Sequence, residues 1–148
     1  MRGSADIKVK KPIEEVWRFI SDMGNTSQWI DGVSGIEPTS EGDIATGATF
    51  TSNYRFDGKS HKVSYLLTEF EPPHRFSFRI SGGPHSSLNE LELISNGDST
   101  KVKHLLELDI DSRNLGAVSI GLGPMVRLAI TFRLRKDLKK LKKHLERS

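Results

Sequence analysis

The chain has no cysteine, and its 148 residues include only two tryptophans, two tyrosines and six prolines. Without cysteine there can be no disulfide, no thiol nucleophile, no cysteine-ligated zinc and no iron–sulfur centre, and such a composition fits a reducing, cytoplasmic setting. The histidines at 61, 74, 85, 104 and 144 show no metal-ligand spacing, so neither a stored metal nor another cofactor is expected. Gly121-Leu122-Gly123-Pro124 lacks the Lys-Ser/Thr of a P-loop, and Ser86, Ser87 and Ser119 stand in no nucleophile-elbow context. The longest uncharged stretch, Asn114 to Val126, is too short to cross a bilayer, and no integral membrane association is expected. Met1-Arg2-Gly3-Ser4 has no apolar core of the secretory kind; it resembles an expression leader and carries no weight in this reading.

Charge is present but unevenly placed. The formal net charge is +3, yet residues 133–148 hold eight Lys or Arg against Asp137 and Glu146, so the remainder of the chain is net negative. A local basic stripe of this sort can attract nucleic acid or an anionic membrane. No aromatic residue interleaves with these charges, as a single-strand binder requires, so no nucleic-acid partner is expected and the stripe reads first as a solvated helix face.

Hydrophobic periodicity gives the element order. Ala5 to Lys10 alternates like a strand, and Pro12 then opens a helix with Ile13, Val16, Trp17 and Ile20 on one face. Gly24 is expected to end it, with Asn25 or Thr26 capping a second short helix that carries Trp29. Val33 to Glu37 reads as a short strand. Residues 46–110 then read as an antiparallel meander with turns at Asp57-Gly58, Glu71-Pro72-Pro73-His74, Gly82-Gly83-Pro84 and Asn96-Gly97-Asp98. Its inward lanes are expected to be Phe50, Ser52, Tyr54 and Phe56; His61, Val63, Tyr65, Leu67 and Glu69; Phe76, Phe78 and Ile80; Leu91 and Leu93; and Val102, His104, Leu106, Leu108 and Ile110. After Pro124, Val126, Ile130, Leu134, Leu138, Leu141 and Leu145 recur at steps of three and four, the signature of one long amphipathic helix. Gly116, Gly121 and Gly123 are expected to loosen the approach to it.

This order, with Pro12-Ile13-Glu14-Glu15-Val16-Trp17, Phe19-Ile20-Ser21-Asp22, Trp29 and Gly32-Val33, resembles the START-related helix-grip superfamily (SRPBCC) in its polyketide cyclase/dehydrase branch. Thr68 to Phe76 resembles that family's central strand and turn, and Gly97 to Val102 its penultimate hairpin. The resemblance implies a single α+β domain over residues 5–147, with a curved antiparallel sheet wrapped around a long C-terminal helix and two short helices after the first strand. It also implies a cavity between sheet and helix for a hydrophobic small-molecule ligand such as a lipid, sterol or polyketide. None of the matching segments is a catalytic motif.

Several residues are candidates for that site. His104 lies in register with Val102, Leu106 and Leu108, where an imidazole can hydrogen-bond a ligand or move a proton. Tyr54 and Tyr65 present an apolar ring with one polar tip. Ser52, Leu67, Phe78, Leu93 and Leu106 share the inward lanes, and Met125, Val126 and Ile130 are placed on the helical wall. Glu69 is a candidate general base if buried, but the resemblance implies an acidic residue at this position that anchors the neighbouring turn, and that structural role is favoured. Three uses of the cavity stand open: binding of a hydrophobic or aromatic molecule; a metal-free cyclase/dehydrase reaction assisted by His104 or Glu69; and lipid exchange at anionic membranes through the basic helix. The ligand's identity and the oligomeric state stay open at this level.

Overall fold

A computed structural model describes residues 1–56, 58–83, 85–109 and 119–147, with the side chains of 119–123 left out of the description. The elements run β1 (Arg2–Val9), α1 (Ile13–Ile20), a 3-10 helix (Met23–Gln28), β2 (Val33–Pro38), β3 (Thr49–Phe56), β4 (Lys59–Glu71), β5 (Arg75–Ser81), β6 (Ser86–Asn96), β7 (Ser99–Asp109) and α2 (Ser119–Glu146). All seven strands form one antiparallel sheet in the order β1-β7-β6-β5-β4-β3-β2. The architecture is the expected α+β helix-grip fold, a curved sheet around the C-terminal helix.

The lanes form because alternate residues of a strand face opposite sides. Val63, Tyr65 and Leu67 of β4, Phe76 and Phe78 of β5, Leu91 and Leu93 of β6 and Val102 of β7 are all buried. They meet Leu134, Leu138, Leu141 and Leu145 of α2 in a single core that also takes Val9, Ile13, Val16 and Ile20. The C-terminal turns of α2 are tied to the end of β1: Lys142 Nζ donates to the Lys8 carbonyl at 2.7 Å, and the Lys10 N–H donates to Glu146 Oε2 at 3.2 Å.

Four boundaries differ from the sequence expectation. The first strand begins at Arg2, not Ala5, and the Met1 amine donates to the Leu108 carbonyl at 2.9 Å. The leader-like segment is therefore part of the sheet, and a Cβ on Gly3 would stand 2.6 Å from Ile130 Cγ2, so β1 and α2 touch there. Helix α1 ends at Ile20, where Ser21 N and Oγ both donate to the Trp17 carbonyl, rather than at Gly24. The following 3-10 helix is capped by Asp22, whose carboxylate accepts from Gly24 N at 3.0 Å, and not by Asn25 or Thr26; Trp29 comes just after it. Finally, α2 starts at Ser119 and contains Pro124. A proline this near a helix start removes one hydrogen bond, which the downstream packing tolerates.

The β4 lane also breaks. The pairing of β4 with β5 shifts between Leu67 and Glu69, a bulge that moves the inward parity by one residue. Phe70 rather than Glu69 then turns inward, and its ring lies 5.5 Å from Trp17, which packs edge-on to Phe76. At the ends of their strands Tyr54, Leu106 and Leu108 are half-buried and Phe56 is exposed. Asp57, Pro84, Ile110 and Gly116 lie outside the described residues.

Candidate functional site

The floor of the concave face carries polar groups at the crossing of β6 and β7. His104 is fully buried, and its Nε2 lies 2.9 Å from Asn89 Oδ1. An amide oxygen only accepts, so Nε2 carries the proton and Nδ1 is left with its lone pair. Asn89 in turn donates to Ser87 Oγ at 3.3 Å. Burial among apolar groups lowers the His104 pKa to about 4, which keeps the ring neutral near pH 7. Trp29 packs edge-on to this ring at 6.0 Å. His104 Nδ1, an acceptor, and Trp29 Nε1–H, a donor, are both buried and have no partner among the described residues.

Two strands away a second pair forms: Ser52 Oγ and Tyr65 OH are 2.8 Å apart and buried. Burial raises the Tyr65 pKa, opposed in part by the Ser52 hydrogen bond. Phe78 lies 5.8 Å from the Tyr65 ring, and Leu67 and Leu93 complete the apolar floor. On the helical side Ile130 is buried and Val126 half-buried.

Two expected site residues stand elsewhere. Met125, assigned to the helical wall, is 64% exposed. It precedes Leu134 by about two and a half helical turns and so points the opposite way. Glu69 is carried off the inward lane by the bulge and lies half-exposed, with Oε2 3.1 Å from Arg75 Nε; Arg75 also approaches Glu71 and Glu90. Its carboxylate thus holds the β4–β5 turn.

The helix contributes an acid that the periodicity argument overlooked. Asp137 is buried on the inner face of α2, 3.9 Å from Arg133 Nε. Its pKa is pushed up to about 6, chiefly by burial and against the pull of Arg133 and of a hydrogen bond from the Asp31 backbone N–H. Around it the helix grips the loop after Trp29. Arg133 Nη2 donates to the Asp31 carbonyl at 2.6 Å and its guanidinium lies over the Tyr54 ring, while Lys140 and Lys136 pair with the Asp31 carboxylate and hold its pKa below the usual range.

Ser87, Asn89 and Asp137 were missed, although the pattern contained all three. Counting back by twos from Leu91 reaches Asn89 and Ser87, and Asp137 falls three residues after Leu134 and four before Leu141, inside the apolar stripe. A polar residue in a buried register is the signal in each case.

Among the clefts lined by described residues are the following two. One of about 380 Å³ lies on the sheet face turned away from α2, between Thr49, Leu66 and Arg79. The other, about 320 Å³, lies between the 3-10 helix and the β2–β3 connection, at Met23, Ile36 and Ile44. Neither borders His104. No group of three or more histidine or carboxylate side chains among the described residues is arranged to hold a metal, and no described helix is long and apolar enough to cross a membrane.

Residues 2–146 match the family model described as "Polyketide cyclase / dehydrase and lipid transport". The chain belongs to this family. Solved structures agree on the fold. A START superfamily protein from Mycobacterium smegmatis superposes with a TM-score of 0.80 at 17% identity, covering 99% of this chain and 97% of its own. A protein from Thermus thermophilus gives 0.77 at 16% identity, with coverage of 98% and 97%. The Zhui aromatase/cyclase of Streptomyces sp. R1128 gives 0.72 at 12% identity, with coverage of 99% and 94%. At such identities the likeness to other members of the fold extends to architecture alone. No curated protein matches the sequence significantly.

Proposed function

We propose that this family member binds a small hydrophobic or aromatic molecule whose polar end, a hydroxyl or amide, meets His104 Nδ1 and Trp29 Nε1. The observation that carries this reading is that His104 Nδ1 and Trp29 Nε1 are buried without a partner among the described residues, while the neighbouring polar groups Asn89, Ser87, Ser52 and Tyr65 are hydrogen-bonded to one another or to His104. Leaving a buried donor or acceptor unpaired costs about 1 to 3 kcal/mol, and a hydroxyl, which both donates and accepts, removes the cost at both atoms. Ser52 and Tyr65 offer a second polar contact, and Leu67, Phe78 and Leu93 supply the apolar surround. A cytoplasmic location belongs to the same proposal and rests on the absence of cysteine.

The cyclase/dehydrase alternative draws on the family description and on the name of the Streptomyces relative. It has less support from the residues. A ring with a pKa of about 4 is a weak base, and Glu69 neither shares the lane of His104 nor lacks a counter-ion.

Saturable binding of an apolar fluorescent probe, displaced by fatty acids or flat aromatic molecules, tests the reading. His104→Phe keeps a ring and removes the acceptor; with the fold intact it should weaken displacement by a hydroxylated competitor by about 1 to 2 kcal/mol and leave a pure hydrocarbon competitor unchanged. Mass spectrometry of material extracted from natively purified protein identifies the ligand class. If the wild-type protein binds no probe saturably, the binding reading fails.

A further inference from the structure

The outward side of α2 changes character along its length. Met125, Leu128 and Phe132 are 64, 69 and 72% exposed. Spaced by three and four residues, they form one apolar stripe on the side opposite Leu134 and Leu141. The same line continues through Arg135, Lys139 and Lys143, all exposed and none in an ion pair among the described residues. Met125 and Lys143 stand about five turns apart and so share one line along the helix. Large apolar side chains exposed singly are ordinary; three in one stripe, running into unpaired cations, are not.

We propose that this face of α2 docks the protein on an anionic lipid surface, with Met125, Leu128 and Phe132 entering the interfacial region and Arg135, Lys139 and Lys143 lying against the headgroups. The charge pattern selects this occupant. A lipid surface presents negative headgroups directly over an apolar layer, so it satisfies both halves of the stripe together. A second copy of the chain would lay one cation-rich helix on another and meet like-charge repulsion. Nucleic acid would pair the cations but leave Leu128 and Phe132 in water. The inward residues that hold α2 to the sheet, Leu134, Leu138, Leu141 and Leu145, are on the other side and need not move. The proposal is independent of the cavity reading, because it rests on residues exposed on the side of α2 opposite its buried stripe, whereas His104 is buried.

Sedimentation with vesicles tests it. The wild-type protein should bind phosphatidylcholine vesicles containing about one third phosphatidylserine, bind pure phosphatidylcholine at least about tenfold more weakly, and be released as salt approaches about 1 M. The double variant Leu128→Glu/Phe132→Glu should lose about tenfold or more in vesicle affinity with unchanged melting temperature, and Arg135→Glu/Lys139→Glu/Lys143→Glu should lose as much. In Phe132→Trp, quenching of the new tryptophan by lipids brominated in the acyl chain reports insertion directly. Absence of wild-type binding to the anionic vesicles at low salt overturns the proposal. So does binding that survives both charge reversal and Leu128→Glu/Phe132→Glu. A concentration-dependent dimer abolished by the apolar variant, without vesicle binding, would assign the face to self-association, and retention on a polyanion without any brominated-lipid quenching would assign it to nucleic acid; either result replaces the lipid surface as the occupant.

Discussion

His104 on the sheet and Asp137 on α2 are both titratable side chains buried at the edges of one apolar core, and their surroundings send them in opposite directions. His104 faces neutral partners, Asn89 and Trp29, and burial alone suppresses its charge. Asp137 sits near Arg133 and the Asp31 backbone, which recover part of what burial takes away. Burial among neutral groups fixes a protonation state, whereas burial beside a cation leaves it poised.

The largest expected effect removes packing on the helical side. Leu138 is completely buried next to Asp137, and Leu138→Ala should cost about 2 to 5 kcal/mol in denaturant unfolding at any pH. A loss below about 1 kcal/mol would show that α2 is held by its polar clasp rather than by its apolar face.

The two titrations come next. His104 has a folded pKa of about 4 against an ordinary 6.5, so between those values the unfolded chain takes up a proton that the folded one refuses. Its contribution is complete above about pH 6.5 and is lost as pH falls toward 4, a change of about 3 kcal/mol. Asp137 has a folded pKa of about 6 against 3.8, so there the folded chain keeps a proton that the unfolded one has released. Its contribution is complete below about pH 4 and is lost as pH rises through 6, by at most about 3 kcal/mol. Between pH 4 and 6 the two slopes oppose each other. Asp137→Asn should therefore expose a steep rise of stability with pH, and His104→Phe a fall, measured by urea unfolding across that range. Parallel profiles for the two variants would contradict the contrast between the sites. In direct terms, Asp137→Asn should be more stable than wild type at pH 8 by about 1 to 3 kcal/mol and indistinguishable from it near pH 4.

Lys140→Ala gives the smallest effect. Asp31 and Lys140 are each about 40% exposed, and a pair so accessible to water is worth about 0.2 to 1 kcal/mol. Its loss should be visible at low salt and vanish at high salt.

Element type and order were legible because period-two and period-3.6 patterns survive in the chain from Phe50 to Val102 and from Ile130 to Leu145. The misplacements each have a local cause. Glu69 leaves its lane because a bulge adds one residue to β4, and nothing in Leu67-Thr68-Glu69 announces one. Met125 neighbours Val126 in the chain, but helical phase, not nearness, decides which side it faces. Asp22 takes the cap from Asn25 and Thr26 because α1 closes on Ser21, one turn earlier than a glycine stop suggests. The pairing of His104 with Asn89 was out of reach, since it needs the register of β6 on β7 and not the pattern of either strand alone.

The pairing of β1 with β7 has a consequence for how the chain is made. Arg2 lies opposite Glu107, so the first strand of the sheet waits for the last before it has a neighbour. Chains lengthen at about 5 to 20 residues per second during synthesis, so β1 spends on the order of 5 to 20 s outside the ribosome with both edges open. The meander from β3 to β7 can assemble by adjacent hairpins in that time, but closure of the sheet must wait for β7, and the seating of the C-terminal helix across β1 must wait for that helix. A nascent chain stalled before β7 would present an unpaired Ala5-Asp6-Ile7-Lys8-Val9 segment, with charged Asp6 and Lys8 alternating with its apolar residues and both backbone edges open.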